Sequence, residues 1–264
     1  MTQQFRDFRV LVTGASTGLG RAIAVQAAQE GAAHVIVNYA NDKDSAEETA
    51  RLVRAAGSEA TVVQGDVAQD ADCRRLADAA AALGGLECLF NNAGVTVFAA
   101  HDNLDGVSGE DFMQLYQVNV VGAFQMIRAC RPLLEKAVEP GAVVNSASIA
   151  GVAGIGSSVP YAASKAALIN MTLSLARALA PKIRVNAICP GFIDTPWFAK
   201  SLPEAVIGHV RAQVIATTPL RVASTAEDIA GSAVFLGGRQ SRHVTGETLL
   251  VDAGMHLTLT PVAR

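Results

Sequence analysis

Arg9-Val10-Leu11-Val12-Thr13-Gly14-Ala15-Ser16-Thr17-Gly18-Leu19-Gly20 joins a short β-branched run to a glycine-rich turn, and a helical pattern follows at once. Glycines in such a turn allow a tight reversal, let backbone amides approach a pyrophosphate, and let the helix pack close to the strand. The helix N-terminus adds a field that favours phosphate. Strand, turn and helix in this order predict a dinucleotide site that uses Gly14, Ser16, Thr17, Gly18, Leu19 and Gly20.

Outward from this turn, strand-like and helix-like stretches alternate. Strands are expected over 9–12, 34–38, 61–64, 86–90, 142–146, 183–188 and 247–251, and helices over 19–30, from Asp42 or Asp44 to 56, 70–82, 111–135 and 160–180. Gly31 and Gly57 stand where a left-handed residue ends a helix, and Pro160 suits a first helical turn. The strands are almost wholly apolar, as in a parallel sheet covered on both faces. The expected fold is therefore α/β, one doubly wound (Rossmann) domain over 1–264 with a seven-stranded, mainly parallel sheet and helices on both faces. The rhythm breaks over 196–221, where Trp197, Phe198, Leu202, Val206, Ile207, Val214 and Ile215 recur at roughly helical spacing. Both a packed helix pair and a substrate lid fit that stretch.

At 264 residues, 50% hydrophobic and 17% charged, the chain suits one large packed domain, and a formal charge of −3 argues against a nucleic-acid partner. Cys73, Cys88, Cys130 and Cys189 form no C-x-x-C and read as reduced core thiols of a cytoplasmic protein. His34, His101, His209, His243 and His256 form no metal-binding motif, so no metal is expected. The start, Met1 to Asp7, has no apolar signal core, and no run approaches the roughly 18 apolar residues of a membrane span.

The chemistry points to Pro160-Tyr161-Ala162-Ala163-Ser164-Lys165. On a helix, Tyr161 and Lys165 share a face four residues apart. A phenol near pKa ~10 becomes a useful acid–base group at neutrality when a cation stabilises its phenolate. An ammonium ~4 Å away at an effective dielectric of ~20 is worth roughly 4 kcal/mol, so Lys165 is expected to lower the pKa of Tyr161.

At the end of the second strand, where a carboxylate would bond an unphosphorylated adenosine ribose, the chain has Asn38-Tyr39-Ala40-Asn41. Nothing there repels a 2′-phosphate, and Lys43 is a possible counter-charge, although no arginine clamps the site. NADP(H) is the expected cofactor, with NAD(H) the alternative.

These motifs together resemble the short-chain dehydrogenase/reductase family, in its branch with a Thr-Gly-x-x-x-Gly-x-Gly turn and a Tyr-x-x-x-Lys site. The resemblance runs from Val10 to about His256. It implies adenine contacts from Asp66 and Val67, a stretch along the cofactor at Asn92, Ala93 and Gly94 after Asn91, and a nicotinamide-holding segment with Pro190, Gly191, Ile193 and Thr195. It also implies a catalytic set of Asn119, Ser148, Tyr161 and Lys165. In that set Tyr161 exchanges a proton with the substrate oxygen, Ser148 bonds the same oxygen, Lys165 also holds the nicotinamide ribose, and Asn119 positions a water that relays protons. The tail Val251-Asp252-Ala253-Gly254-Met255 departs from the two glycines that many relatives carry after the acid.

Residues expected to face the substrate, Val95 to Phe98, Ile149 to Val159, Phe192 and the pair Trp197-Phe198, are apolar and carry no paired charge. They predict a small neutral ketone or secondary alcohol. Thr245-Gly246-Glu247-Thr248-Leu249 resembles 3-oxoacyl-carrier-protein reductases, whereas Val95-Thr96-Val97-Phe98 lacks their polar continuation, and sugar or polyol dehydrogenases have similar second-strand endings. A cofactor sensor without catalysis, or a structural subunit, fits poorly with an intact catalytic set. Apolar residues on more than one face of 112–134 and 161–179 predict a homo-oligomer, a homotetramer first and a dimer next.

Overall fold

The computed structural model describes residues 3–195, 197 and 203–258. Among the described residues there are seven strands: β1 (Arg9–Val12), β2 (His34–Tyr39), β3 (Glu59–Gln64), β4 (Cys88–Asn91), β5 (Gly141–Ser146), β6 (Ile183–Pro190) and β7 (Thr248–Val251). They form one sheet in the order β3-β2-β1-β4-β5-β6-β7, with every pairing parallel. The order reverses between β1 and β4, the switch point at which doubly wound sheets open a ligand crevice beyond the strand ends.

Alternation along each strand sends successive side chains to opposite faces. Val10 and Val12 enter a core with Ile23 of α1 (Gly18–Gln29), Val53 of α2 (Lys43–Ala55) and Ile229 of α9 (Ala226–Gly237). Leu11 enters the opposite core with Leu76 of α3 (Asp70–Ala82), Met126 of α5 (Ala123–Leu134) and Leu179 of α7 (Val159–Leu179). The expected strands and helices are all present, with ends shifted by a few residues.

Two differences bear on the site. The helix expected over 111–135 is instead α4 (Gly109–Tyr116), a π-helical segment Gln117–Gly122, and then α5. The wider turn buries Asn119 and Gly122, and no local hydrophobic spacing signals it. Helix α9 was not anticipated, because its apolar, small-residue run has little amphipathic contrast. It is nevertheless signalled by a capping box, in which the Thr225 hydroxyl accepts from the Asp228 amide at 3.2 Å and the Asp228 carboxylate accepts from the Thr225 amide at 2.8 Å. A short α6 (Ala150–Ala153) and α8 (Glu204–Thr217) complete the helices used below. Of the lid residues, Phe198 and Leu202 lie outside the described residues.

All four cysteines are buried and unbridged. Burial pushes the Cys73 and Cys130 thiols up to about 12 and the Cys189 thiol up to about 11, and it raises Cys88 as well. Among the described residues, no helix is long and apolar enough to cross a membrane, and no cluster of His, Cys, Asp and Glu could hold a metal ion.

Candidate active site

The loops at the C-terminal ends of β1 to β6 line a cavity of about 550 Å³. Its walls include Gly14, Ser16, Thr17, Gly18 and Leu19 from the first turn, Asn38, Ala40 and Asn41 after β2, and Asp66 and Val67 after β3. Asn92, Ala93 and Gly94 line it after β4, Ser148 after β5, Tyr161 and Lys165 on α7, and Pro190, Gly191, Ile193 and Thr195 after β6. Residues anticipated from widely separated stretches thus meet in one cleft.

The first turn has the form of an anion cradle. Gly14 and Gly18 adopt φ of 60° and 56°, where a β-carbon would be strained, and a β-carbon on Gly18 would point across the cleft to within 3.6 Å of Thr195. Thr17 caps α1 without a side-chain hydrogen bond, and the first turn of that helix carries no acid. A helix start of this kind is compatible with an anion. Gly20 does not line the cavity; a β-carbon there would come within 2.3 Å of the Gly14 carbonyl, so its role is close helix–strand packing.

Asn38 lines the cavity, yet its polar atoms are spent on the backbone. Its Oδ1 accepts from the Gly14 amide at 3.1 Å, and its Nδ2 donates to the Gly65 carbonyl at 2.9 Å. Tyr39 turns into the core and does not reach the cleft. Asp42, which the sequence reading treated only as a helix cap, does line it, while its carboxylate accepts from the Ser45 amide at 3.0 Å. Lys43 is exposed in the first turn of α2 and is not part of the wall. Arg21 braces the turn from behind, donating to the Ser16 carbonyl at 2.6 Å and the Ser45 carbonyl at 3.1 Å.

At the other end, Ser158 caps α7 by accepting from the Tyr161 amide, and Pro160 occupies the first turn. Tyr161 and Lys165 follow on one face. The Lys165 ammonium donates to the Ser146 carbonyl at 2.7 Å and lies 5.7 Å from the centre of the Tyr161 ring. Ser148 lines the same cavity close enough to the Tyr161 phenol to favour its ionised form, and its Oγ accepts from the Ala150 amide at 3.1 Å. Tyr161 as a whole residue keeps some exposure, but the protein packed around it pushes its phenol up to about 12, with the nearby Ser148 side chain pulling the other way. Burial draws the Lys165 ammonium down to about 8. The expected lowering of the Tyr161 pKa by Lys165 is thus overturned, because loss of hydration opposes the phenolate more strongly than its neighbours favour it.

Asn119 is buried behind this pair and does not line the cavity. Its Oδ1 accepts from the Val95 amide at 2.9 Å, and its Nδ2 donates to the Val95 carbonyl at 3.0 Å and the Ser164 hydroxyl at 3.0 Å. Ser164 in turn donates to the Tyr161 carbonyl at 2.8 Å. The Asn119 side chain therefore fastens the π-helical turn to the β4 loop and to α7. Ser146, Val95, Gln114 and Val118 also line the cavity. Of these, Ser146 was signalled by its place at the end of β5, while Gln114 enters from α4 and Val118 from the π-helical turn that follows it.

The family described as "Enoyl-(Acyl carrier protein) reductase" matches residues 14–256. A protein named as a ketoacyl reductase of the granaticin polyketide synthase of Streptomyces violaceoruber is 41% identical over 249 residues, covering 94% of this chain and 95% of its own. The chain is a short-chain dehydrogenase/reductase. It is also similar to the 3-oxoacyl-[acyl-carrier-protein] reductase FabG of Staphylococcus aureus, 34% identical over 94% of this chain and 97% of that one. 3beta-Hydroxysteroid dehydrogenase 1 of Eggerthella lenta is 37% identical over 97% of both chains. The crystal structure of a short-chain dehydrogenase/reductase from Burkholderia xenovorans superposes with a TM-score of 0.87 at 36% identity, covering 95% of this chain and 98% of that one. As a member of this family the chain is an NAD(P)-dependent oxidoreductase acting on CH–OH groups and ketones.

Proposed function

We propose that the chain reduces a neutral, largely apolar ketone to its secondary alcohol with NADP(H), with Tyr161 as proton donor. The observation that carries this reading is the meeting of Tyr161, Ser148 and Lys165 in the wall of one dinucleotide-sized cleft. The glycine turn and the uncapped α1 suit a pyrophosphate, so the residues present fit the cofactor. When bound, the nicotinamide supplies the hydride that adds to the carbonyl carbon. Tyr161 gives its proton to the carbonyl oxygen as charge builds there, and Ser148 donates a hydrogen bond to the same oxygen. A phenol held at about 12 is fully protonated at neutral pH, yet it is a far stronger acid than the alcohol formed. That favours the reductive direction. Lys165, held by Ser146 one helical turn beyond Tyr161, would hold the nicotinamide ribose when the cofactor is bound, while Asn119 fixes the wall on which both residues depend.

NADP(H) is supported by the absence of an acid closing β2 and by Asn41 in the cavity wall, with the Asp42 carboxylate engaged as a helix cap. The Arg211 guanidinium of α8 donates to the Asp194 carboxylate after β6 at 2.5 and 2.9 Å, a tie that suits a substrate lid in this part of the chain. Exposed Met113, Phe124 and Leu173 on α4, α5 and α7 suit a homotetramer, with a dimer as the alternative, and four unbridged thiols suit the cytoplasm. The likeness to FabG makes 3-oxoacyl-thioester reduction the second reading.

The test is a screen of NADPH and NADH oxidation against cyclic ketones, 3-oxoacyl thioesters, steroids and sugars, repeated with Tyr161→Phe. Turnover with a ketone, faster with NADPH and cut by at least about a hundredfold in the variant, supports the reading. A variant keeping more than about a tenth of the rate overturns the role of Tyr161, and tighter binding of NADH reverses the cofactor preference.

A further inference from the structure

Trp197 bridges two other aromatic rings at the substrate end of the cleft. Its ring centre lies 6.1 Å from that of Phe98 at an interplanar angle of 59°, and 6.1 Å from that of Tyr161 at 48°. Both separations fall in the range over which aromatic rings attract edge-on or offset. Trp197 lines the same cavity as Tyr161 and Ser148 and keeps part of its surface accessible. The β4 loop that carries Phe98 is pinned to the loop leading into α7. The Ala99 amide donates to the Ser157 carbonyl at 2.8 Å, and the Thr96 and Ser157 hydroxyls share a hydrogen bond. The aromatic wall is thereby held in register with the phenol it faces.

The geometry points to a planar ring, in an aromatic or fused cyclic ketone, as the part of the substrate this chain selects. The ring lies against Trp197 with Phe98 beside it, and its carbonyl is directed at Tyr161 and Ser148. Val95 adds apolar surface to the same cavity, and the Lys165 ammonium is committed to the Ser146 carbonyl. A rigid ring loses little conformational freedom on such a surface, whereas a linear acyl chain must freeze several bonds to reach it. This assignment rests on the ketone-reductase reading and gives it a substrate class.

The experiment compares 2-tetralone with the acetoacetyl thioester of N-acetylcysteamine, a short linear 3-oxo substrate, in NADPH-dependent reduction. The wild-type chain is expected to give the higher kcat/KM with 2-tetralone. Trp197→Leu is expected to lower the ratio of the two kcat/KM values about tenfold, a difference of ~1.4 kcal/mol, mainly through KM for 2-tetralone. Trp197→Phe restores most of the ratio, and Phe98→Leu lowers it about threefold, with folding of each variant checked by thermal melting. Trp197 is the one tryptophan of the chain, so its emission reports on the site without turnover. Titrating 2-tetralone into the protein with NADP+ is expected to change that emission saturably. A ratio that stays within about twofold in Trp197→Leu, or emission that does not respond, overturns the assignment. If both ketones are reduced while the ratio is unmoved, only the ring site falls. If neither is reduced, the ketone-reductase reading loses its support, and the emission titration alone decides whether the ring binds.

Discussion

Lys165 donates to the carbonyl oxygen of Ser146 at 2.7 Å, and this bond ties the first turns of α7 to the end of β5. Tyr161 lies one helical turn before Lys165, and Ser148 lies two residues beyond Ser146. The proposed proton donor and its oxygen partner are therefore positioned by the same link. Replacing Lys165 with Met is expected to remove the link and the charge together. Reductase kcat/KM should fall by about a hundredfold or more, with loss of more than one effect at once. Steady-state kinetics at saturating NADPH check it, and retention of most activity would separate Lys165 from the proposed site.

The two proton affinities set the pH profile. Below about 8, Lys165 keeps its charge, and Tyr161, at about 12, keeps its proton. Reduction needs both protonated, so kcat/KM for ketone reduction should be level below about pH 8 and decline above it as Lys165 loses its proton. A profile that rises through pH 8 to 9 in the reductive direction would contradict this assignment.

Gly151 of α6 faces α7 so closely that a β-carbon would lie 2.5 Å from the Lys165 carbonyl carbon and 2.6 Å from the Ala166 nitrogen. Both are backbone atoms, so the helices must part. Gly151→Ala is expected to destabilise the protein by roughly 1–3 kcal/mol and to raise KM for the ketone, because Ser148 is bonded to the Ala150 amide at the start of α6. Chemical denaturation and initial-rate measurements read the two effects separately.

Asn38 joins the Gly14 turn to the β3 end through the Gly14 amide and the Gly65 carbonyl. Asn38→Leu strands both groups in a buried setting, at a cost of roughly 1–3 kcal/mol for each group left unsatisfied. We expect a lower melting temperature and weaker NADPH binding, measured by thermal melting and by nucleotide fluorescence. Unchanged binding in a folded variant would remove Asn38 from the support of the phosphate turn.

Stability should fail on the alkaline side. Thiols ionise near 9.0 when unfolded, whereas folding raises Cys73 and Cys130 to about 12 and Cys189 to about 11. Below pH 9 both states hold these protons, and the full stability is present. Above it the unfolded chain releases protons that the folded chain keeps, so stability declines as the pH climbs toward about 12. Tyr161, raised from 10.0, adds to this loss, while Lys165, lowered from 10.5 to about 8, opposes it as a single group. Melting temperatures from pH 7 to 11 should fall progressively above about 9, and Cys130→Ala should make that decline shallower.

The alternation of strands and helices, the glycine turn and the Tyr161–Lys165 spacing were legible because each is a local property. Apolar period, turn residues and helical spacing act over a few neighbouring positions, so they fix which elements form and in what order. The same local logic gave the helical starts at Asp42 and Asp70 and the proline in the first turn of α7. What only the tertiary structure decided depends on partners distant in the chain. The π-helical turn seats Asn119 against Val95 and Ser164, and Asn38 serves the backbone of Gly14 and Gly65. The direction of the Tyr161 shift, and the meeting of Phe98, Trp197 and Tyr161, belong with these. Burial and close contact between remote segments exist only once the chain has folded, and it is they that strip water from a phenol and bring separate rings to one wall.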